Sequence, residues 1–207
     1  MSEPQAQPAG QPAPVDIERA NLYALTARLF YAAPDADLIA QIRESVQAEG
    51  GGEDAAALRA GWRALQDACG SAIPEVIRQE YDDLFVGVGR AQVTPYLSGY
   101  AEPSSPDRYL VRLREQLSRW GLVRRSSAFE IEDHISALSD VMRLVIEHGR
   151  PLEEQQEFFA HFVYPGAGPF FIAVKRAPSA SFYKVVAVFA HAFFELEKEA
   201  FEMWDRA

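Results

Sequence analysis

Three groups of side chains in this sequence could do chemistry. The run Glu80-Tyr81-Asp82-Asp83-Leu84-Phe85 sets three carboxylates among large aromatics, Asp133-His134 puts a carboxylate beside an imidazole, and His161 stands just ahead of the stretch from Pro165 to Pro169. A carboxylate can hold a guanidinium in a bidentate pair or move a proton, and an imidazole can act as acid or base near neutrality. Each group also has a plain structural reading. The first can be a solvated acidic face, the second cap chemistry with a half-buried histidine, and the third a histidine on free helix carbonyls.

Other chemistries lack their residues. A di-iron carboxylate bundle needs Glu-x-x-His pairs, but Ile131, Val145, Phe158 and Val188 stand three residues before the four histidines. The zinc-protease pattern His-Glu-x-x-His does not occur, and Gly87-Val88-Gly89 lacks the third glycine or the Lys-Ser/Thr pair that cradles phosphate. Cys69 is the only cysteine, which excludes an internal disulfide and a paired-thiolate zinc site. With no basic residue beside it in sequence, it reads as a small apolar residue at a helix end. No catalytic residue, no metal and no cofactor is expected.

The elements that must position these groups are helices. From Asp16, Leu22, Leu25 and Leu29 form one stripe with Tyr23, Ala27 and Phe30 beside it, and Pro34 ends it. Asp35 caps a second helix through Ile39, Ile42 and Val46, stopped by Gly50-Gly51-Gly52. A third covers Glu53 to Cys69 with Leu58, Trp62 and Leu65 inward, and Pro74 opens a fourth that buries Val76, Ile77, Tyr81, Leu84 and Phe85. Residues 86 to 107 do not read as helix; their glycines and prolines predict a long connection, held in order by Tyr96 and Tyr100. Arg108 to Trp120 is the next helix, closed by Gly121 and followed by a linker in which Arg124-Arg125 is solvated. Ser127 and Glu130 have the form of a capping box ahead of Ile131, Ile135, Leu138, Met142 and Val145, so Asp133 and His134 fall in that helix's first turns. Leu152 to His161 is short, Pro165 to Pro169 breaks the chain before Phe170 to Lys175, and Ser181 to Trp204 is the last helix. With no β-alternation of useful length and no repeat, the fold class is all-α, a single-domain bundle of about eight to ten helices.

Composition bounds the partners. The chain has 207 residues, 48% of them hydrophobic, with a formal charge of −10. That is enough for a core of its own, and the charge repels phosphate backbones and anionic lipid, so no nucleic acid and no membrane partner is expected and basic partners are favoured. Residues 1–15 are rich in proline and carry no Lys or Arg, which predicts a disordered tail rather than an export signal, with 16–207 as the folded domain. The most apolar stretch, Val185 to Phe194, contains His191 and is far short of the roughly 20 residues that span a bilayer. A soluble protein of the reducing cytoplasm is expected.

Three motifs in order carry a family resemblance. Glu80-Tyr-Asp-Asp-Leu-Phe-Val-Gly-Val-Gly, Pro95-Tyr96-Leu97-Ser98-Gly99-Tyr100 and Asp133-His134-Ile135 resemble the TorD/DmsD/NarJ family of redox-enzyme maturation chaperones, as do the opening helix Asn21-Leu22-Tyr23 to Phe30-Tyr31 and the final helix with Phe182-Tyr183. The likeness runs from about Asp16 onward. This chain has Val88 where members often have Pro, Leu97 and Leu138 where they often have Glu, and Gly166 where Trp commonly follows the proline.

The resemblance implies an all-helical cytoplasmic chaperone, monomer or homodimer, that binds the catalytic subunit of a molybdenum-cofactor oxidoreductase before cofactor insertion. Binding would be to the apoenzyme, to its twin-arginine leader, or to both. The expected partner-binding residues are Tyr81, Asp82, Phe85, Pro95, Tyr96, Ser98, Tyr100, Asp133 and His134, with residues 86–107 and the Asp133 helix as two walls of a peptide groove. Two other readings of the same residues are a helical enzyme using an Asp133/His134 acid-base pair on a small molecule, and a scaffold for an unrelated protein.

Overall fold

In the computed structural model the described residues are 13–45, 55–87, 91–122 and 131–204. Val46, the glycine stop at 50–52, Val88, the Arg124-Arg125 linker, the Ser127/Glu130 box and most of the expected tail lie outside them. Helix α1 spans Pro14–Tyr31, so it starts two residues inside the expected tail, with Pro14 in its first turn where a missing N–H costs nothing. Helix α2, Ala36–Glu44, is capped as the sequence predicts: the Asp35 carboxylate accepts from the Leu38 N–H at 2.8 Å. Helices α3 (Ala56–Gly70) and α4 (Pro74–Tyr81) follow. A π turn, Asp82–Val86, ends α4 and closes on Gly87 at φ 63°.

The described part of the next connection, from residue 91, is largely non-helical but contains a single helical turn, α5 (Ser98–Ala101). Residues 91–105, here called the strap, lead into α6 (Pro106–Arg119). Helix α7 is Ile135–Glu147, α8 is Leu152–Phe158, a second π turn covers Phe159–Val163, and α9 (Tyr164–Arg176) and α10 (Phe182–Trp204) complete the chain. Helix α1 packs along α7, α2 lies on α3, and α10 packs against both α3 and α9. The core is strongly aromatic: Tyr23, Phe30, Phe85, Phe170, Phe171, Tyr183, Phe189, Phe193 and Phe194 are all buried, each worth roughly 1.5–3 kcal/mol on removal from water. Among the described residues no helix is long and apolar enough to cross a membrane.

Four sequence expectations are corrected. Val76 is 60% exposed: it lies about 100° around α4 from the buried Ile77, at the solvent edge of the inward face. Ile131 is exposed and precedes α7 rather than opening it. Asp133 and His134 are therefore outside the helix, His134 as its N-cap with the ring Nδ1 accepting from the Ser136 N–H at 3.1 Å. The proline stretch does not break the chain: Pro165 sits in the first turn of α9, and Pro169 is carried inside it. The fully buried Ala167, Phe170, Phe171 and Val174 on the same helix supply packing that outweighs the lost backbone bond.

Candidate functional site

The acidic run at the end of α4 separates into one structural and two exposed carboxylates. Glu80 is buried and its carboxylate accepts from three successive backbone N–H groups at the start of α10: Ser181 at 2.8 Å, Phe182 at 3.0 Å and Tyr183 at 2.7 Å. The first N–H groups of a helix have no partner inside it and carry the positive end of its dipole, so a carboxylate there is doubly favoured. Asp82 and Asp83 are exposed, and Asp83 accepts from the Gln79 amide at 2.9 Å. The Tyr81 hydroxyl donates to the carbonyls of Tyr31 at 2.8 Å and Phe30 at 3.3 Å, tying α4 to the end of α1. Phe85 is buried against the rings of Phe30, Tyr81 and Tyr183.

The strap and the residues before α7 are joined rather than facing each other across a gap. Leu97 N–H donates to the Asp133 carbonyl and Ile135 N–H to the Pro95 carbonyl, both at 2.9 Å, which sets Tyr96 opposite His134 as an antiparallel bridge. Their rings meet edge to face with centroids 5.4 Å apart. One Asp133 carboxylate oxygen accepts from the Ser98 N–H at 3.3 Å. Elsewhere the strap is held by Val93 N–H on the Leu84 carbonyl at 2.9 Å and by Gln92 on Ser179 at 2.7 Å. Tyr100 lies with its ring centroid 6.0 Å from that of Phe170, and its hydroxyl donates to the Thr94 carbonyl.

Of the nine residues expected at the site, Pro95, Tyr96, Ser98, Tyr100, Asp133 and His134 thus form one cluster. Tyr81 and Phe85 join it through the Phe170 ring, which lies between Phe85 and Tyr100. Asp82 takes no part in the contacts that hold strap to α7. Asp133 and His134 are each only 2% exposed, so their polar atoms face the interior of this cluster and not a groove.

Two residues that depart from the family pattern explain part of the closure. Leu97 is fully buried, and a Cβ added at Gly166 would fall 2.7 Å from both the Leu97 Cβ and its carbonyl oxygen. Only glycine lets the strap lie this close to α9. A glycine at the start of a helix was the available signal for such an approach, but nothing local names the residue that fills the space.

Beneath the strap lies a group of buried polar atoms that sequence reasoning missed. The buried Oδ1 of Asp133 has no hydrogen-bond partner, and neither has the buried Nε of Arg112 on α6. Arg112 pairs with Glu102 of the strap through its terminal Nη2. Tyr109 lies within electrostatic reach of both Asp133 and Arg112, and its hydroxyl donates to the Phe162 carbonyl. Burial pushes the Tyr109 hydroxyl well above the usual phenol range; the Asp133 charge adds to this and Arg112 opposes it. A buried carboxylate oxygen left unpaired is costly, so Asp133 can accept one more donor. Among the described residues no group of three or more His, Cys, Asp or Glu is placed to hold a metal.

The pattern of the nitrate reductase delta subunit family matches residues 52–171, more than half of the chain and including both the strap and the 133–135 segment. The chain belongs to that family. It is a NarJ/TorD-like chaperone of redox-enzyme maturation, and such proteins assist enzymes rather than catalyse. The fold agrees: a crystal structure of a redox enzyme maturation protein from Archaeoglobus fulgidus superposes with a TM-score of 0.52 at 21% identity, over 87% of this chain and 93% of that one. No curated protein matches this family member in sequence.

Proposed function

We propose that this chaperone acts in the cytoplasm on the catalytic subunit of a molybdenum-cofactor oxidoreductase, through the apoenzyme, its twin-arginine leader, or both, ahead of cofactor insertion. The observation that carries the reading is the unpaired Asp133 oxygen under the strap, at the meeting point of the motifs that define the family. Magnitudes decide which carboxylate matters. A guanidinium bonded to a partly desolvated carboxylate gains roughly 1.5–3 kcal/mol, whereas an exposed one such as Asp82 contributes roughly 0–1 kcal/mol after solvent screening. Asp133 is thus the principal anchor for an arginine, and the aromatic rings of Tyr81, Phe85 and Phe170 receive the apolar part of the segment at about 25 cal/mol per Å² buried. The test is isothermal titration and co-purification with molybdoenzyme catalytic subunits from the same genome, leader present and leader removed. Binding is expected to at least one; binding to none, in either form, overturns the proposal.

A further inference from the structure

We infer that the strap is an intramolecular stand-in: in the free protein it occupies the backbone pairing position at residues 133–135 that an extended, arginine-bearing segment of the partner takes in the complex. This rests on the partner-binding reading above and adds how the site is opened. Three observations converge. The Tyr96–His134 bridge is the one β-type pairing among the described residues of an otherwise helical chain, and it is made at the segment that carries Asp133. An isolated bridge of two hydrogen bonds is the smallest unit that a competing strand can replace bond for bond, by the same strand addition that peptides use at sheet edges. With the strap in place, Asp133 uses one oxygen for Ser98 and leaves the other without a partner, while Arg112, held to the strap through Glu102, has a buried Nε in the same condition. The closed arrangement therefore leaves both a buried acceptor and a buried donor unmatched.

Displacement supplies the acceptor's missing partner. An incoming segment pairs its own N–H with the Asp133 carbonyl and its own carbonyl with the Ile135 N–H, and its guanidinium takes the Asp133 carboxylate, which Ser98 gives up. The strap leaves by giving up its bonds to Leu84 and Ser179, lifting Leu97 away from Gly166 and releasing Arg112 from Glu102. Tyr81, Phe85 and Phe170 belong to other elements and stay behind as the apolar floor.

The experiment uses the full chain and, as probe, the purified catalytic subunit with its leader that binds in the titration above. Residue-resolved hydrogen exchange is followed with and without saturating subunit. Leu97 N–H is expected to lose its protection on binding while Ile135 N–H keeps it; a saturated complex in which Leu97 stays protected overturns the inference. A second measurement is the double variant Tyr96→Cys with His134→Cys. These residues face each other as a non-hydrogen-bonded antiparallel pair, whose Cα separation of about 4.5 Å suits a disulfide. The oxidised form should bind the subunit roughly tenfold or more weakly than the same protein reduced, because locking the strap removes the competent state. Equal affinity of the two redox forms overturns the inference. Failure of the unmodified chain to bind any subunit is a different result: it overturns the partner reading, and this inference with it.

Discussion

Replacing Glu80 tests whether one carboxylate fixes the start of the last helix. It accepts from three N–H groups, with Ser181 and Tyr183 sharing one oxygen and Phe182 on the other. In Glu80→Gln the amide keeps a single acceptor oxygen, which can serve two of the three donors, and its NH₂ then faces the third. That loses one charge-assisted bond and the charge-dipole attraction, together about 2–3 kcal/mol. Glu80→Ala leaves all three donors unmatched, two of them on the buried residues Phe182 and Tyr183, and adds a cavity. At about 1–3 kcal/mol for each buried orphan, and allowing for non-additivity, the expected loss is about 4–5 kcal/mol. Urea unfolding followed by circular dichroism measures both, with Asp82→Ala and Asp83→Ala as exposed neighbours expected within about 0.5 kcal/mol of the parent. An alanine variant at Glu80 that loses less than about 1 kcal/mol, or no more than the Asp82 and Asp83 variants, refutes the capping argument.

Three further outcomes are expected. Arg19 holds the buried Glu197 through two bonds of 2.8 and 3.0 Å, with Tyr23 donating to the same carboxylate; Arg19→Ala should cost about 3–5 kcal/mol in urea unfolding, while Arg19→Met with Glu197→Leu should recover most of it. Gly166→Ala should cost about 1–3 kcal/mol by overpacking, and should speed exchange of the Leu97 amide. His191 is held below its ordinary value by burial and then by Lys175, which lies 3.0 Å from its Nδ1. Since its folded pKa is depressed, stability should fall as the pH drops below about 6.5 toward that lowered value; an NMR titration should show Lys175→Met raising it.

The fold was largely legible where a local rule acts alone. Asp35 caps α2, and Gly121 and Gly149 end α6 and α7 in the left-handed conformation, as their positions in sequence suggest. It failed where a distant partner intervenes. Ile131 fits the spacing of the α7 stripe, yet the backbone at 133 and 135 is taken by the strap, so the helix starts later and His134 becomes its cap. The proline stretch has every local reason to break a helix, and only the packing of α9 against the strap and α10 keeps it continuous. At the site, the motifs identified the cluster, while the burial of Asp133 and its unpaired oxygen depend on residues 35 positions away along the chain. Glu80 read as one of three equivalent acids because its partners lie about a hundred residues downstream.

That last separation has a consequence for how the protein is made. Glu80, Tyr81 and Phe85 are synthesised long before Ser181 to Tyr183, and Leu29 waits still longer for the Tyr183 hydroxyl that donates to its carbonyl. Domains emerging from a ribosome fold N-terminal part first where their contacts are local, but these are not. The aromatic core stays unfinished until the final helix has been translated and released. A chain that stops before Ser181 therefore fails throughout rather than only at its end.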